Sequence, residues 1–313
     1  MNCDRLRITA ALILFSSTLM FSAGSTRADD APGKETSMFS QQWLDTVVSI
    51  EQLQPALKED GTVVRDPDGK VTLVPIPIGT GFIVETTNKH LVLITAKHVV
   101  ADPADSTRPV SDNLVYRMNQ QEGSAYLLKD LQFEQKGYGK WFLSKTHDVA
   151  CRFIELEAIS KHRVITLDKF LPTRQLHTGA NLLVLGFPMG LRSEEHPNPI
   201  ARKGMVALAD RDDLLADAFV FPGNSGGPVL YEPPIKIQGN GLITSPFLNE
   251  EHLIGLITGF LPYRETAISQ HTKRPRVVFE ENSGLAKIVP ADAIKELMNR
   301  DDVTKLDSRI EPK

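Results

Sequence analysis

The sequence predicts an all-β protein of two six-stranded antiparallel barrels followed by a short C-terminal helix. From Gln42 onward, short apolar runs alternate with turn signals, the pattern of a barrel or sandwich. The runs fall into two sets of about six, and the stretch from Leu156 to Leu171 separates them.

The first barrel is assigned to residues of about 42–160. Its strands are Thr46 to Leu53, Lys70 to Ile78, Gly81 to Thr86, Leu91 to Ala96, Ala125 to Phe133 and Val149 to Glu155. A hairpin turn is read at Asp66-Pro67-Asp68-Gly69, where proline presets its own φ and glycine takes a positive one. The second barrel, about 172–289, takes Asn181 to Gly186, Arg202 to Ala209, Ala218 to Phe221, Pro228 to Tyr231, Leu253 to Phe260 and Arg276 to Glu281. Pro290 to Asn299 reads as a helix, with proline tolerated in the first turn and Ile294, Leu297 and Met298 on one face. Residues 300–313 read as a polar tail.

The segment 1–28 stands outside this fold. Arg5 and Arg7 precede a mostly apolar run, Ile8 to Ala23, and Ala23-Gly24-Ser25 or Thr26-Arg27-Ala28 offers a cleavage site. The alternative, an uncleaved anchor, fits less well: the run contains Ser16, Ser17 and Thr18 and falls short of the roughly 20 residues that span a bilayer. A cleaved signal peptide implies a periplasmic or secreted protein, with 29–41 a polar, disordered lead-in. Removal takes away Arg5, Arg7 and Arg27 against one acid, Asp4, leaving a chain more acidic than the formal −4 of the whole.

Hydrophobic residues make up 41% and charged residues 24%, ordinary for a globular protein. No basic tract of five or more residues occurs, so nucleic acid is not an expected partner; nor is a membrane once the signal is gone. Cys3 leaves with the signal and Cys151 stands alone in an apolar run, as a buried small hydrophobe. The histidines show no ligand spacing, so neither metal nor other cofactor is expected.

One hexapeptide carries the chemistry. Gly223-Asn224-Ser225-Gly226-Gly227-Pro228 sets a serine in a tight turn, with glycines that let backbone N–H groups converge and a substrate approach. A serine hydroxyl becomes a nucleophile when a histidine takes its proton and a carboxylate orients that histidine. Upstream stand Thr95-Ala96-Lys97-His98-Val99 and His147-Asp148-Val149-Ala150. Alone, each piece has a bland structural reading; together they lie at strand edges, in an order that sets the histidine and aspartate in one barrel and the serine in the other.

With these segments the chain resembles the trypsin-like serine peptidases of the chymotrypsin superfamily, and most closely the protease domain of bacterial HtrA (Deg) proteins. Further matching stretches are Gly79 to Val84, Ile94 to Val100, Leu185 to Pro188, Lys203 to Val206, Pro222 to Val229, Leu253 to Leu256 and Asn282 to Leu285 ahead of Val289-Pro290. The likeness covers roughly 42–299 and ends where HtrA proteins begin a PDZ domain.

The resemblance implies chymotrypsin-like barrels with a site between them. It implies His98 as general base and acid, Asp148 as its orienting group, Ser225 as nucleophile, and the N–H groups of Gly223 and Ser225 as an oxyanion hole. It also implies a substrate pocket lined by Phe219, Val220, Phe221, Ile257, Thr258 and Gly259, without a carboxylate and so suited to apolar side chains. The expected function is a serine endopeptidase acting on proteins or peptides through an acyl-enzyme; a non-cleaving binding or scaffold protein on the same fold is the alternative. Oligomeric state is not legible.

Overall fold

The computed structural model describes residues 41–110, 113–192, 197–210, 213–233, 235–238, 241–244 and 250–311, with the backbone alone for 41, 235–238 and 241–244. The expected signal peptide and most of the lead-in lie outside these residues. All described residues belong to one unit, Met38–Lys313. Among them, no helix is long and apolar enough to cross a membrane.

The N-terminal half is built from β1 (Val47–Pro55), β2 (Leu73–Glu85), β3 (Leu91–Thr95), a side hairpin of β4 (Ala101–Asp102) and β5 (Asp105–Pro109), β6 (Leu114–Met118), β7 (Tyr126–Lys129), β8 (Phe142–Leu143), β9 (Ala150–Ile154) and β10 (Ile165–Thr166). Helix α1 (Lys97–Val100) follows β3, and α2 (Leu131–Gln135) follows β7. Its main sheet runs β7-β6-β1-β2-β3-β9-β8, with β10 joining β2 in parallel. The expected six strands are therefore eight, and the sheet has two ends.

The C-terminal half contains β11 (Asn181–Gly186), β12 (Ile200–Asp210), β13 (Asp213–Asp217), β14 (Pro228–Tyr231), a separate hairpin of β15 (Ile235–Gln238) and β16 (Gly241–Thr244), β17 (His252–Ile268) and β18 (Pro275–Pro290). Six of these close into a barrel in the order β11-β12-β13-β18-β17-β14, as expected. Closure removes the unpaired edges that an open sheet must protect. Ala218 to Phe221, read as a strand, instead leaves β13 as irregular chain, because Asn224 Oδ1 accepts the Phe221 N–H and draws that segment into the nucleophile turn.

Helix α3 (Ala291–Met298) buries Ile294, Leu297 and Met298, the face expected from their spacing. The segment 300–313 is not a simple tail, for α4 (Asp301–Asp307) continues the chain. Its Val303 is buried, and its Asp307 accepts hydrogen bonds from Thr86 Oγ1 and Asn88 Nδ2 and meets His90 Nδ1 at 2.7 Å. Arg300 Nη1 donates to the Leu143 carbonyl, capping the two-residue edge strand β8.

Candidate active site

Strand β3 delivers His98. After Thr95 the chain leaves the sheet through Ala96, in extended geometry, and turns into α1. The adjacent strand β9 is preceded by a tight turn in which Ser144 Oγ accepts the backbone N–H groups of Thr146 and His147. Because Thr95 pairs with Ala150 across the ladder, the two strand ends lie side by side and their next functional residues converge.

His98 Nδ1 lies 2.6 Å from Asp148 Oδ2, and Asp148 Oδ1 accepts the His98 backbone N–H at 3.0 Å. Burial alone would raise the Asp148 carboxyl, but the hydrogen bonds from His98 and the charges of His98 and Lys97 outweigh it and hold it below the ordinary carboxylate value. An ionised carboxylate only accepts, so Nδ1 carries the proton and Nε2 of the neutral ring keeps its lone pair. The ring is about half exposed, which leaves that nitrogen within reach of a substrate.

The nucleophile turn comes from the barrel and is tied to the sheet by one residue, Thr80 of β2. Its N–H donates to the Ser225 carbonyl at 2.8 Å. Its Oγ1 donates to the Gly223 carbonyl at 2.6 Å and accepts the Phe187 N–H at 3.1 Å. Thr95 Oγ1 donates in turn to the Thr80 carbonyl at 2.6 Å. Gly226, at φ +83°, packs so closely on Thr80 and Thr95 that a Cβ there would overlap both. The turn is thus seated against the end of β3, and Gly79, beside the Ser225 carbonyl, also meets Val99, the neighbour of His98. His98 and Ser225 Oγ are not hydrogen-bonded to each other.

Within the turn, backbone donors alternate. Asn224 N–H bonds Phe221, Gly226 N–H bonds Ile257 and Gly227 N–H bonds Asn224, whereas Gly223 and Ser225 N–H find no partner among the described residues. The direction of the Gly223 N–H follows from its peptide plane. Met189 N–H, on the loop after β11, donates to the Pro222 carbonyl at 2.6 Å. In a trans peptide, carbonyl and N–H point opposite ways, so holding the Pro222 oxygen on Met189 turns the Gly223 N–H to the other side. Gly223 takes φ +96°, and a Cβ there would overlap the Phe187 carbonyl. Two free N–H groups two residues apart, beside a half-buried serine, suit a developing oxyanion.

A family model described as a trypsin-like peptidase domain matches residues 79–232, which contain His98, Asp148 and Ser225. The chain carries a trypsin-like serine peptidase domain. Among solved structures, it is similar to a variant of the HtrA-type protease AlgW with a decapeptide, at 15% identity and TM-score 0.43 over 82% of this chain and 63% of that one. A second structure of that variant, with a tripeptide, gives 14% identity and TM-score 0.42 over 82% and 60%. The chain spans less than two thirds of the length of either. No curated protein matches it.

The pocket residues of the peptidase domain are only partly where the sequence suggested. Val220 and Ile257 are 1% exposed, and their side chains belong to the barrel core rather than to an open pocket. Phe219 is 53% exposed and lies against Gly284, Phe221 lies under the Arg202 guanidinium, and Gly259 borders open space. Thr258 Oγ1 reaches only the Lys287 carbonyl, at 3.4 Å. Sequence reasoning missed Thr80 and Met189. Thr80 was visible as a hydroxyl between two glycines; Met189 left no signal, since its backbone alone acts.

Asn224, directly before the serine, is fully buried and its Oδ1 bonds the Phe221 N–H. Cys151 is buried as expected, and burial pushes its thiol up to about 12, so it stays protonated and inert.

Proposed function

We propose that the protein is an exported serine endopeptidase that cleaves proteins through a His98-Asp148-Ser225 triad. The observation that carries this reading is the Asp148-held His98 ring at the β3 end on which the Ser225 turn is seated. His98 Nε2 takes the Ser225 hydroxyl proton as Oγ attacks the scissile carbonyl. The carbonyl oxygen, now negative, accepts the Gly223 and Ser225 N–H groups. Collapse of this intermediate breaks the peptide bond, His98 gives its proton to the leaving amine, and an acyl-enzyme on Ser225 remains. Water, deprotonated by His98, then releases the acid. Export rests on the N-terminal segment: a basic start, an apolar run too short to span and small residues at a cleavage site. The expected pocket residues that stay outside the barrel core, Phe219, Phe221, Thr258 and Gly259, bring no carboxylate, which supports apolar side chains before the cut.

Fluorophosphonate labelling of the purified protein tests the reading. Label on Ser225, lost in Ser225→Ala without change in melting temperature, is the expected result. A Ser225→Ala protein that still hydrolyses peptides at a near-normal rate would end it.

A further inference from the structure

Beyond the barrel, β17 and β18 continue as a free two-stranded ribbon. Among the described residues, pairing runs without a third strand from Pro262 opposite Asn282 to Ile268 opposite Pro275. At about 3.4 Å per residue this is roughly 20–25 Å of ribbon. Both faces are open to solvent: Tyr263, Ile268, Val277, Val278 and Phe279 are each at least half exposed. Prolines and charges along the strands guard such an edge against chance pairing, while the exposed apolar side chains on its faces offer a surface on which another chain can dock.

Two features select the partner. The first is continuity with the candidate active site. Ile257 exchanges hydrogen bonds with the nucleophile turn, receiving Gly226 N–H at 2.7 Å and donating to the Gly227 carbonyl at 2.9 Å. From there β17 runs outward, and the edge that faced the turn stays unpaired along the ribbon because β18 occupies the other. A chain pairing antiparallel with that edge runs inward, so its upstream residues lie on the ribbon and its downstream end arrives at Ser225. The second feature is charge. The outer part of the ribbon, Thr266 to Phe279, carries Lys273, Arg274 and Arg276 with His271 and no acid, on a chain of formal net charge −4; the acids Glu265, Glu280 and Glu281 lie nearer the barrel, where Glu280 pairs with Arg264.

We infer that the ribbon is an exosite for protein substrates, binding an extended segment of alternating acidic and apolar residues about five to ten positions upstream of the cleaved bond. The inference rests on the peptidase reading above for what happens at Ser225, but binding to the ribbon does not require turnover.

The test uses the Ser225→Ala protein and fluorescence anisotropy with three peptides sharing the residues next to the cut: one short, one with an eight-residue upstream extension alternating Glu and Val, and one with Lys in place of Glu. The Glu extension should bind roughly tenfold or more tightly than the short peptide, with the gain lost at high salt. Lys273→Glu, Arg274→Glu and Arg276→Glu together should abolish the gain and transfer it to the Lys extension, a reversal that misfolding would not produce. In the unsubstituted protein, kcat/KM should follow the same ranking while the short peptide is turned over equally with and without the three changes. Equal binding of short and extended peptides overturns the inference. So does a ribbon-dependent dimer in sedimentation, or ribbon-dependent binding to phosphatidylserine vesicles, without the peptide effect. Tight binding of the Glu extension with neither turnover nor fluorophosphonate labelling would keep the exosite and remove the peptidase reading.

Discussion

The two halves solve opposite problems. The N-terminal sheet is open and buries charge: Arg152 and Asp130, both fully buried, form an ion pair into which Tyr116 and Trp141 donate, and the Arg152 guanidinium lies 5.3 Å from the Phe133 ring and 5.8 Å from that of Trp141. Glu51 is equally buried and receives two hydrogen bonds from Arg117. The barrel has no sheet edge, and none of the described charged residues in this half is fully buried. In the first half, then, side-chain chemistry is held by side chains, and it presents His98 and Asp148. The second presents the Ser225 hydroxyl together with backbone N–H groups whose direction is set by glycine and by neighbouring carbonyls. Substitution should strike the halves differently: loss of a functional group matters in the sheet, and loss of backbone direction matters at the turn.

Ser225→Ala apart, the largest expected effect lies on the sheet side. Asp148→Asn offers an amide where the His98 Nδ1–H needs an acceptor, so either the ring tautomer or the hydrogen bond is lost, and kcat should fall about 10⁴-fold with the fold intact. Because the Asp148 carboxyl is held low, its contribution to stability is complete above its unfolded value of about 3.9 and is lost only as pH falls through the folded value. A drop in wild-type activity near neutral pH would therefore not originate in Asp148. A kcat for Asp148→Asn within tenfold of wild type would show that the sheet does not supply the chemistry.

Next comes the buried pair. Arg152→Met leaves Asp130 buried without its cation, which should cost about 3–5 kcal/mol of stability by denaturant unfolding. Well below the melting temperature, kcat should be unchanged, since neither residue touches His98 or Asp148 directly. A large fall in kcat with stability preserved would contradict this division between scaffold and site.

A third substitution cuts the junction between the halves. Thr80→Val keeps the shape but removes the hydroxyl, leaving the buried Gly223 carbonyl and Phe187 N–H without partners, at about 1–3 kcal/mol. The Gly223–Asn224 peptide, next to the one that carries the Gly223 N–H, then loses an anchor and the turn is held less firmly, so kcat should fall by about 10-fold to 10²-fold, toward the cost of an oxyanion donor, with KM little changed. Fluorophosphonate labelling should slow in parallel; an unaltered labelling rate would mean that Thr80 is only structural.

These residues also mark how far the sequence is legible. Strands β11 and β14 match their reading because each is a clean apolar run bounded by turn signals. Strand β2 was read as two strands broken at Gly79-Thr80, where glycine resembles a turn; the glycines in fact answer close approach by Val99, Leu93 and the Ser225 and Ile94 carbonyls. The ribbon arm in β18 contains the strand expected at Arg276 to Glu281, but strand β6 and the ribbon arm in β17 escaped notice for different reasons. The first is a short run flanked by polar chain, and the second lacks the alternation of a half-buried strand because both faces are wet. His98, Asp148 and Ser225 were legible because each sits in a local motif. Thr80 acts on Gly223 across 143 positions of sequence, which no local pattern records.

The smallest effect isolates the backbone contribution at the turn. Met189 holds the Pro222 carbonyl through its N–H, while its side chain is 61% exposed and its φ is +55°, a region that non-glycine residues enter at a cost. Met189→Gly keeps the N–H and relieves that strain, but frees the unfolded chain by a comparable amount. Stability should therefore change by less than about 1 kcal/mol, and kcat by less than about threefold. Such near-neutrality beside the large loss in Asp148→Asn would separate the halves as described: one depends on which side chain is present, the other on where a peptide plane points. A tenfold loss in Met189→Gly at unchanged stability would mean that the methionine side chain itself meets the substrate, and the turn would then depend on side-chain chemistry as the sheet does.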